Sequence, residues 1–118
     1  MDHFNPKATD VHFNYFIDRL QENIGNIRNT PIEYFYLCSY EVVGKVWTPA
    51  MLQEFEERRG YSMKPYLPIL QGMTVESRDI TERFLYDYQL TLSDLLIENL
   101  YLRGREMGNH PVRMYKYR

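Results

Sequence analysis

Ile32-Glu33-Tyr34-Phe35-Tyr36-Leu37-Cys38-Ser39-Tyr40-Glu41 is an apolar run that ends in an acid, and Trp47-Thr48-Pro49 follows it closely. The residues from Ile32 to Leu37 read as a strand with few polar positions, suited to burial on both faces as in a parallel sheet. Thr48 and Pro49 read as the cap and first residue of a helix. Glu41 therefore stands just past the C-terminal end of a strand and just before a loop that opens a helix. In barrels and open sheets built from β-α units, side chains for chemistry collect there, because the strand is rigid and the loop is free to vary. Glu41 is the leading candidate for a working acid.

Upstream, Asn5 is placed to cap a helix whose first residue is Pro6, a position where a missing N–H costs nothing. Val11, Phe16, Ile17, Leu20 and Ile24 recur at helical spacing, and Gly25 suits a left-handed C-terminal position, so a helix is predicted from Lys7 to Asn23. Arg28-Asn29-Thr30-Pro31 reads as a turn. Downstream, Met51, Leu52 and Phe55 share one face of the second helix. Glu54, Glu56, Glu57, Arg58 and Arg59 crowd a solvated face, and Gly60 ends the helix.

Tyr66-Leu67-Pro68-Ile69-Leu70 is too short and too marked by proline for a central strand, and reads as a packed loop with apolar anchors. Ser77 caps the longest element, roughly Arg78 to Met107, whose positions Ile80, Phe84, Tyr88, Leu92, Leu95, Leu96, Leu100 and Leu102 follow helical spacing. An unbroken helix of that length exceeds about 40 Å at about 1.5 Å per residue, so there is room for a break or bend near Leu90-Thr91. Residues 108–118 are basic and interrupted by Gly and Pro, and are expected to form a divergent, frayed and disordered tail. One buried strand with three helices cannot make a sheet by itself. The chain reads as a mostly helical α/β slice of something larger.

A length of 118 residues allows one small domain at most. Lys and Arg total 14 against 16 Asp and Glu, so nucleic acid and anionic membranes are disfavoured as partners. Cys38 is the single cysteine, which excludes an internal disulfide and a cysteine-rich zinc site. As a lone thiol it reads most simply as a small hydrophobe. There is no basic leader followed by an apolar run and no stretch of about 18 apolar residues, so the chain as written is expected to be cytoplasmic rather than exported or membrane-spanning. Aromatic residues reach 15%, with 11 Tyr. Such rings serve carbohydrate clefts, protein interfaces and ordinary cores alike, since each Tyr joins a flat apolar face to a polar tip.

The strings Cys38-Ser39-Tyr40-Glu41, Trp47-Thr48-Pro49-Ala50-Met51, Glu54-Phe55, Arg58-Arg59-Gly60-Tyr61, Tyr66-Leu67-Pro68, Leu70-Gln71-Gly72 and Arg83-Phe84-Leu85-Tyr86-Asp87-Tyr88 occur in that order. Together they resemble a stretch of the large bacterial α-L-rhamnosidases of glycoside hydrolase family 106, from Asp2-His3 to about Met107. The resemblance implies that residues 1–107 are an internal fragment of a (β/α)8 catalytic barrel in a much longer periplasmic or secreted enzyme. It further implies an inverting hydrolysis of terminal α-L-rhamnosyl linkages in plant-type glycans, with two carboxyl groups roughly 6.5–9.5 Å apart. Glu41 then takes the role of catalytic acid, and the second carboxylate lies outside this chain. Asp2, His3, Tyr40 and Trp47 become candidates for contact with sugar. Calcium is the cofactor the resemblance allows, with no ligands assigned in this sequence. Cys38 departs from the family pattern, which has an Asp there.

The competing reading is a free-standing small α/β module that binds a partner or self-associates through unpaired strand edges, without catalysis. In that reading Asp2 and His3 are a loose terminus, Trp47 is a packing anchor, and Arg83 and Asp87, four apart, form a structural pair.

Overall fold

A computed structural model describes residues 1–37, 46–103 and 113–116 of the chain. Two compact units divide it. One combines Met1–Val46 with Leu96–Arg118, and the other is the contiguous stretch Trp47–Leu95.

In the first unit, helix α1 spans Pro6–Ile24. Its start follows from Asn5, whose side-chain oxygen accepts a hydrogen bond from the Lys7 amide at 3.0 Å, with Pro6 filling the first helical position. Gly25 closes it, donating its amide to the Gln21 carbonyl at 2.9 Å. A short 3-10 turn, Ile27–Asn29, is capped in the same way by Asn26. Strand β1, Tyr34–Leu37, pairs in parallel with β2, Arg113–Lys116, in the register Tyr34↔Arg113 to Leu37↔Lys116. Phe16 of α1 meets Phe35 of β1 edge to face, with ring centroids 6.0 Å apart. Phe4, Ile17, Ile27 and Leu100 make the buried apolar core of this unit.

Two expectations change here. The strand is not buried on both faces: Phe35 is half-buried and Tyr36 is 59% exposed. Burial on both faces needs neighbours and covering layers, and among the described residues β1 has one neighbour, β2. Four residues of the tail expected to fray form that neighbour. The parallel pairing supplies the hydrogen bonds that the local pattern of Arg113–Lys116, without an apolar run, does not call for.

In the second unit, helix α2 spans Met51–Arg59. It starts later than Pro49, with Ala50 as its N-cap residue and no side-chain cap bond. The Thr48 carbonyl accepts from the Met51 amide at 3.0 Å and leads the chain in. Gly60 ends the helix in the left-handed region at φ 82°. Tyr66–Leu70, expected to be a packed loop, lies within a 3-10 helix, Lys64–Gln71, with Pro65 in its first turn and Ile69 buried. Pro68 lies inside it, and Gly72 ends it in the left-handed region at φ 88°.

Helix α3 spans Arg78–Leu96, and the Ser77 hydroxyl oxygen accepts from the Ile80 amide at 3.2 Å. No break falls at Leu90-Thr91. The Thr91 hydroxyl instead donates back to the Asp87 carbonyl at 2.8 Å within continuous helix, and the backbone changes to a π-helix at Ile97–Leu102. Met107 lies outside the described residues. Met51, Phe55, Met63, Ile69, Phe84 and Leu95 form the buried apolar core of this unit.

Candidate functional site

Of the residues singled out from the sequence, Glu41, Tyr40 and Cys38 lie outside the described residues. What brackets them is β1, ending at Leu37, and α2, beginning at Met51. The strand-then-helix order is therefore present around Glu41, and β1 has a parallel partner.

Asp2 and His3 stand side by side ahead of α1. The Asp2 carboxylate accepts from the Phe4 amide at 3.0 Å, and the Asp2 carbonyl accepts from the Asn5 amide at 3.3 Å, so Asp2 shapes the turn into the helix. Partial burial, with the positive amino terminus and His12 nearby, holds the His3 imidazole below its usual pKa, against the opposing pull of Asp2. Trp47 belongs to the other unit and is 44% exposed. Among the described residues no group of three His, Cys, Asp or Glu could hold a metal ion. No helix among them is long and apolar enough to cross a membrane.

The second unit carries a polar and aromatic cluster that the sequence reading found only in part. Arg83 and Asp87 do pair, with Nε donating to Oδ2 at 3.3 Å, but Asp87 is also buried and accepts from the Tyr61 hydroxyl at 2.9 Å. Burial first, then the bond to Asp87 and its negative charge, push the Tyr61 phenol well above its ordinary pKa. Arg59, expected on a solvated face, keeps only 14% of its side chain exposed. It donates to Thr91 Oγ1 at 3.0 Å and pairs with Asp94, tying the end of α2 to α3.

Around this cluster the rings lock one another. Phe55 meets Tyr61 edge to face at 5.0 Å, and Phe84 stacks with Tyr66 at 5.5 Å and with Tyr88 at 6.2 Å. Beside Tyr61, Tyr66 and Phe84 opens a cavity of about 310 Å³, whose lining is completed by Asp79, Ile80 and Arg83. The signal that could have found it was the recurrence of Tyr61, Tyr66 and Tyr88 beside Phe55 and Phe84, all within the unit that α2 and α3 build.

Three comparisons bear on the whole chain. The family model described as alpha-L-rhamnosidase, of glycoside hydrolase family 106, matches residues 1–117. A protein of Formosa agariphila named "Putative beta-glucuronidase" is 39% identical over 107 residues, which cover 91% of this chain and 9% of that protein. The solved rhamnosidase from Novosphingobium sp. PP1Y is similar at 30% identity with a TM-score of 0.80, over 97% of this chain and 11% of that one. The chain thus spans about a tenth of the length of each relative.

Proposed function

Because this chain belongs to the glycoside hydrolase family 106 α-L-rhamnosidases, we propose that it supplies an internal segment of a glycosidase catalytic barrel. In that segment Glu41 is the acid that protonates the leaving glycosidic oxygen. The substrate is a terminal α-L-rhamnosyl linkage in a glycan, and a second carboxylate, from outside these residues, activates water on the opposite face of the sugar in an inverting displacement. The observation that carries the reading is the family match over residues 1–117, which spans Glu41 and the elements on either side of it. The parallel pairing of β1 supports it, since β-α units present working side chains after the C-terminal ends of parallel strands. Asp2, His3, Tyr40 and Trp47 serve as the polar and aromatic groups that hold the sugar.

The two named relatives differ in the sugar their names carry, one a rhamnosidase and the other a glucuronidase. The family description and the solved structure agree on rhamnose, so rhamnose is the proposed sugar.

The test is a chimaera in which residues 1–117 replace the matched segment of the Novosphingobium rhamnosidase. Hydrolysis of aryl α-L-rhamnosides is expected to persist, with inverted rhamnose as first product by NMR, and to fall by about 10²–10⁴-fold in Glu41→Gln. Because the family pattern has an acid where Cys38 stands, Cys38→Asp is expected to raise the rate. Full activity in Glu41→Gln would remove Glu41 from the acid's role. A folded chimaera without hydrolysis would favour the free-standing module.

A further inference from the structure

We propose that the cavity of the Trp47–Leu95 unit is an additional carbohydrate subsite that takes one uncharged pyranose ring, with Tyr61 and Tyr66 as its walls and Asp79 and Arg83 as its polar rim. The choice of a sugar rests on the proposed glycosidase function, and the rest follows from the cavity.

Its volume of about 310 Å³ sits at the small end of the roughly 300–1,000 Å³ typical of ligand pockets, the scale of a monosaccharide rather than of an extended chain. Its walls are held in place. Tyr66 stacks on the buried Phe84 with 25° between the rings, and Tyr61 stands perpendicular to Tyr66 with centroids 5.8 Å apart. The Tyr61 hydroxyl is fixed by Asp87, so that ring cannot swing away without breaking a bond to a buried carboxylate. A pyranose offers an apolar C–H surface and an edge of hydroxyls, and rigid aromatic walls beside polar groups match both.

The rim supplies both kinds of hydrogen-bonding partner. Asp79 and Arg83 are four residues apart on α3 and so lie on one face of it, where a carboxylate can accept from one hydroxyl and a guanidinium can donate to its neighbour. Arg83 keeps 75% of its side chain exposed while its Nε is directed to Asp87, which leaves the outer guanidinium nitrogens for a ligand. The charges also choose between sugars. A uronate would gain Arg83 and meet the repulsion of Asp79, whereas a neutral sugar uses both groups.

The experiment is an NMR titration of the 118-residue chain with methyl α-L-rhamnoside, in parallel with methyl β-D-glucuronide. The expected result is saturable shifts of the Tyr61, Tyr66 and Ile80 resonances, with a Kd of the order of 1 mM for the rhamnoside and weaker binding of the glucuronide. Asp79→Asn and Arg83→Met, both at exposed positions, are each expected to weaken binding about tenfold, with the resonances of buried Met63 and Ile69 unchanged as the check on folding. No saturation at tens of millimolar, or saturation that neither variant alters, overturns the subsite. Tighter binding of the glucuronide overturns the assignment to a neutral sugar. Saturation here beside a chimaera that folds but does not hydrolyse would sink the proposed function and leave the subsite standing. Hydrolysis without saturation here would do the reverse.

Discussion

The hydroxyl of Tyr61 donates to Oδ2 of the buried Asp87 at 2.9 Å, joining the loop after α2 to the middle of α3. Tyr61→Phe keeps the ring and its packing on Phe55 and removes this donor from a buried carboxylate. The expected cost is about 1–3 kcal/mol, read as a lowered midpoint in urea. An unchanged midpoint would mean that Arg83 alone satisfies Asp87.

The same phenol gives an alkaline prediction. Burial and Asp87 raise the folded pKa of Tyr61 above its ordinary 10.0, so the unfolded chain gives up that proton first. The contribution of Tyr61 to stability is complete below pH 10.0 and is lost as pH rises toward the folded value. Denaturation followed between pH 9 and 11, about one unit either side of the ordinary tyrosine pKa, is expected to show a smaller alkaline loss in Tyr61→Phe than in the parent.

Arg103 grips Asp10 with two bonds, Nε to Oδ1 at 2.6 Å and Nη2 to Oδ2 at 2.7 Å, closing the π-helical segment onto α1. The hydrogen bond from Arg103 holds the Asp10 carboxyl below its ordinary 3.8, against a smaller effect of burial. Stability from this pair is present above pH 3.8 and is lost as pH falls through the lowered value. Arg103→Met is expected to unfold at higher pH on acid titration. Coincident acid transitions would count against the pair.

Phe84 lies 1% exposed among Phe55, Tyr66 and Tyr88, and Phe84→Ala is expected to cost about 3–5 kcal/mol. That is a large part of the roughly 5–15 kcal/mol that holds a domain together. Tyr86→Ala, two positions along and 61% exposed, is expected to change the same midpoint by no more than about 0.5 kcal/mol.

Gly60 has φ 82° and no heavy atom within 4 Å of where a Cβ would sit, so its requirement is conformational and not one of space. Gly60→Ala is expected to cost about 1–2 kcal/mol, and Gly60→Asn less, since Asn tolerates the left-handed region. Equal losses by thermal denaturation would point to crowding instead.

Where the sequence could be read, the signal was local. Asn5 with Pro6, Ser77, and Gly25 and Gly60 each mark a helix end through one side chain or one backbone angle, and α1 runs within a residue of its predicted ends at both sides. Strand β2 was not legible, because Arg113–Lys116 becomes a strand only through its pairing with β1. The shortness of Tyr66–Leu70 and its Pro68 suggested a loop, yet the segment lies within a 3-10 helix. Around Leu90-Thr91 the helix runs on unbroken, with Thr91 bonded to the Asp87 carbonyl and to Arg59, and the change of backbone to a π-helix comes at Ile97. For the site, Arg83 and Asp87 could be paired from their spacing, but the burial of Asp87 and its bond to Tyr61 depend on how α2 and α3 pack.

The pairing of β1 with β2 also bears on the order of folding. The two strands lie on either side of the entire Trp47–Leu95 unit in the chain, so their contacts are among the least local in the molecule, while that unit is one unbroken stretch with its own buried core. Loop-closure entropy is paid before distant contacts form, so proximity along the chain favours the unit first and the ladder last. On a ribosome, Trp47–Leu95 is complete before Arg113 has been added, and the sheet must wait for it.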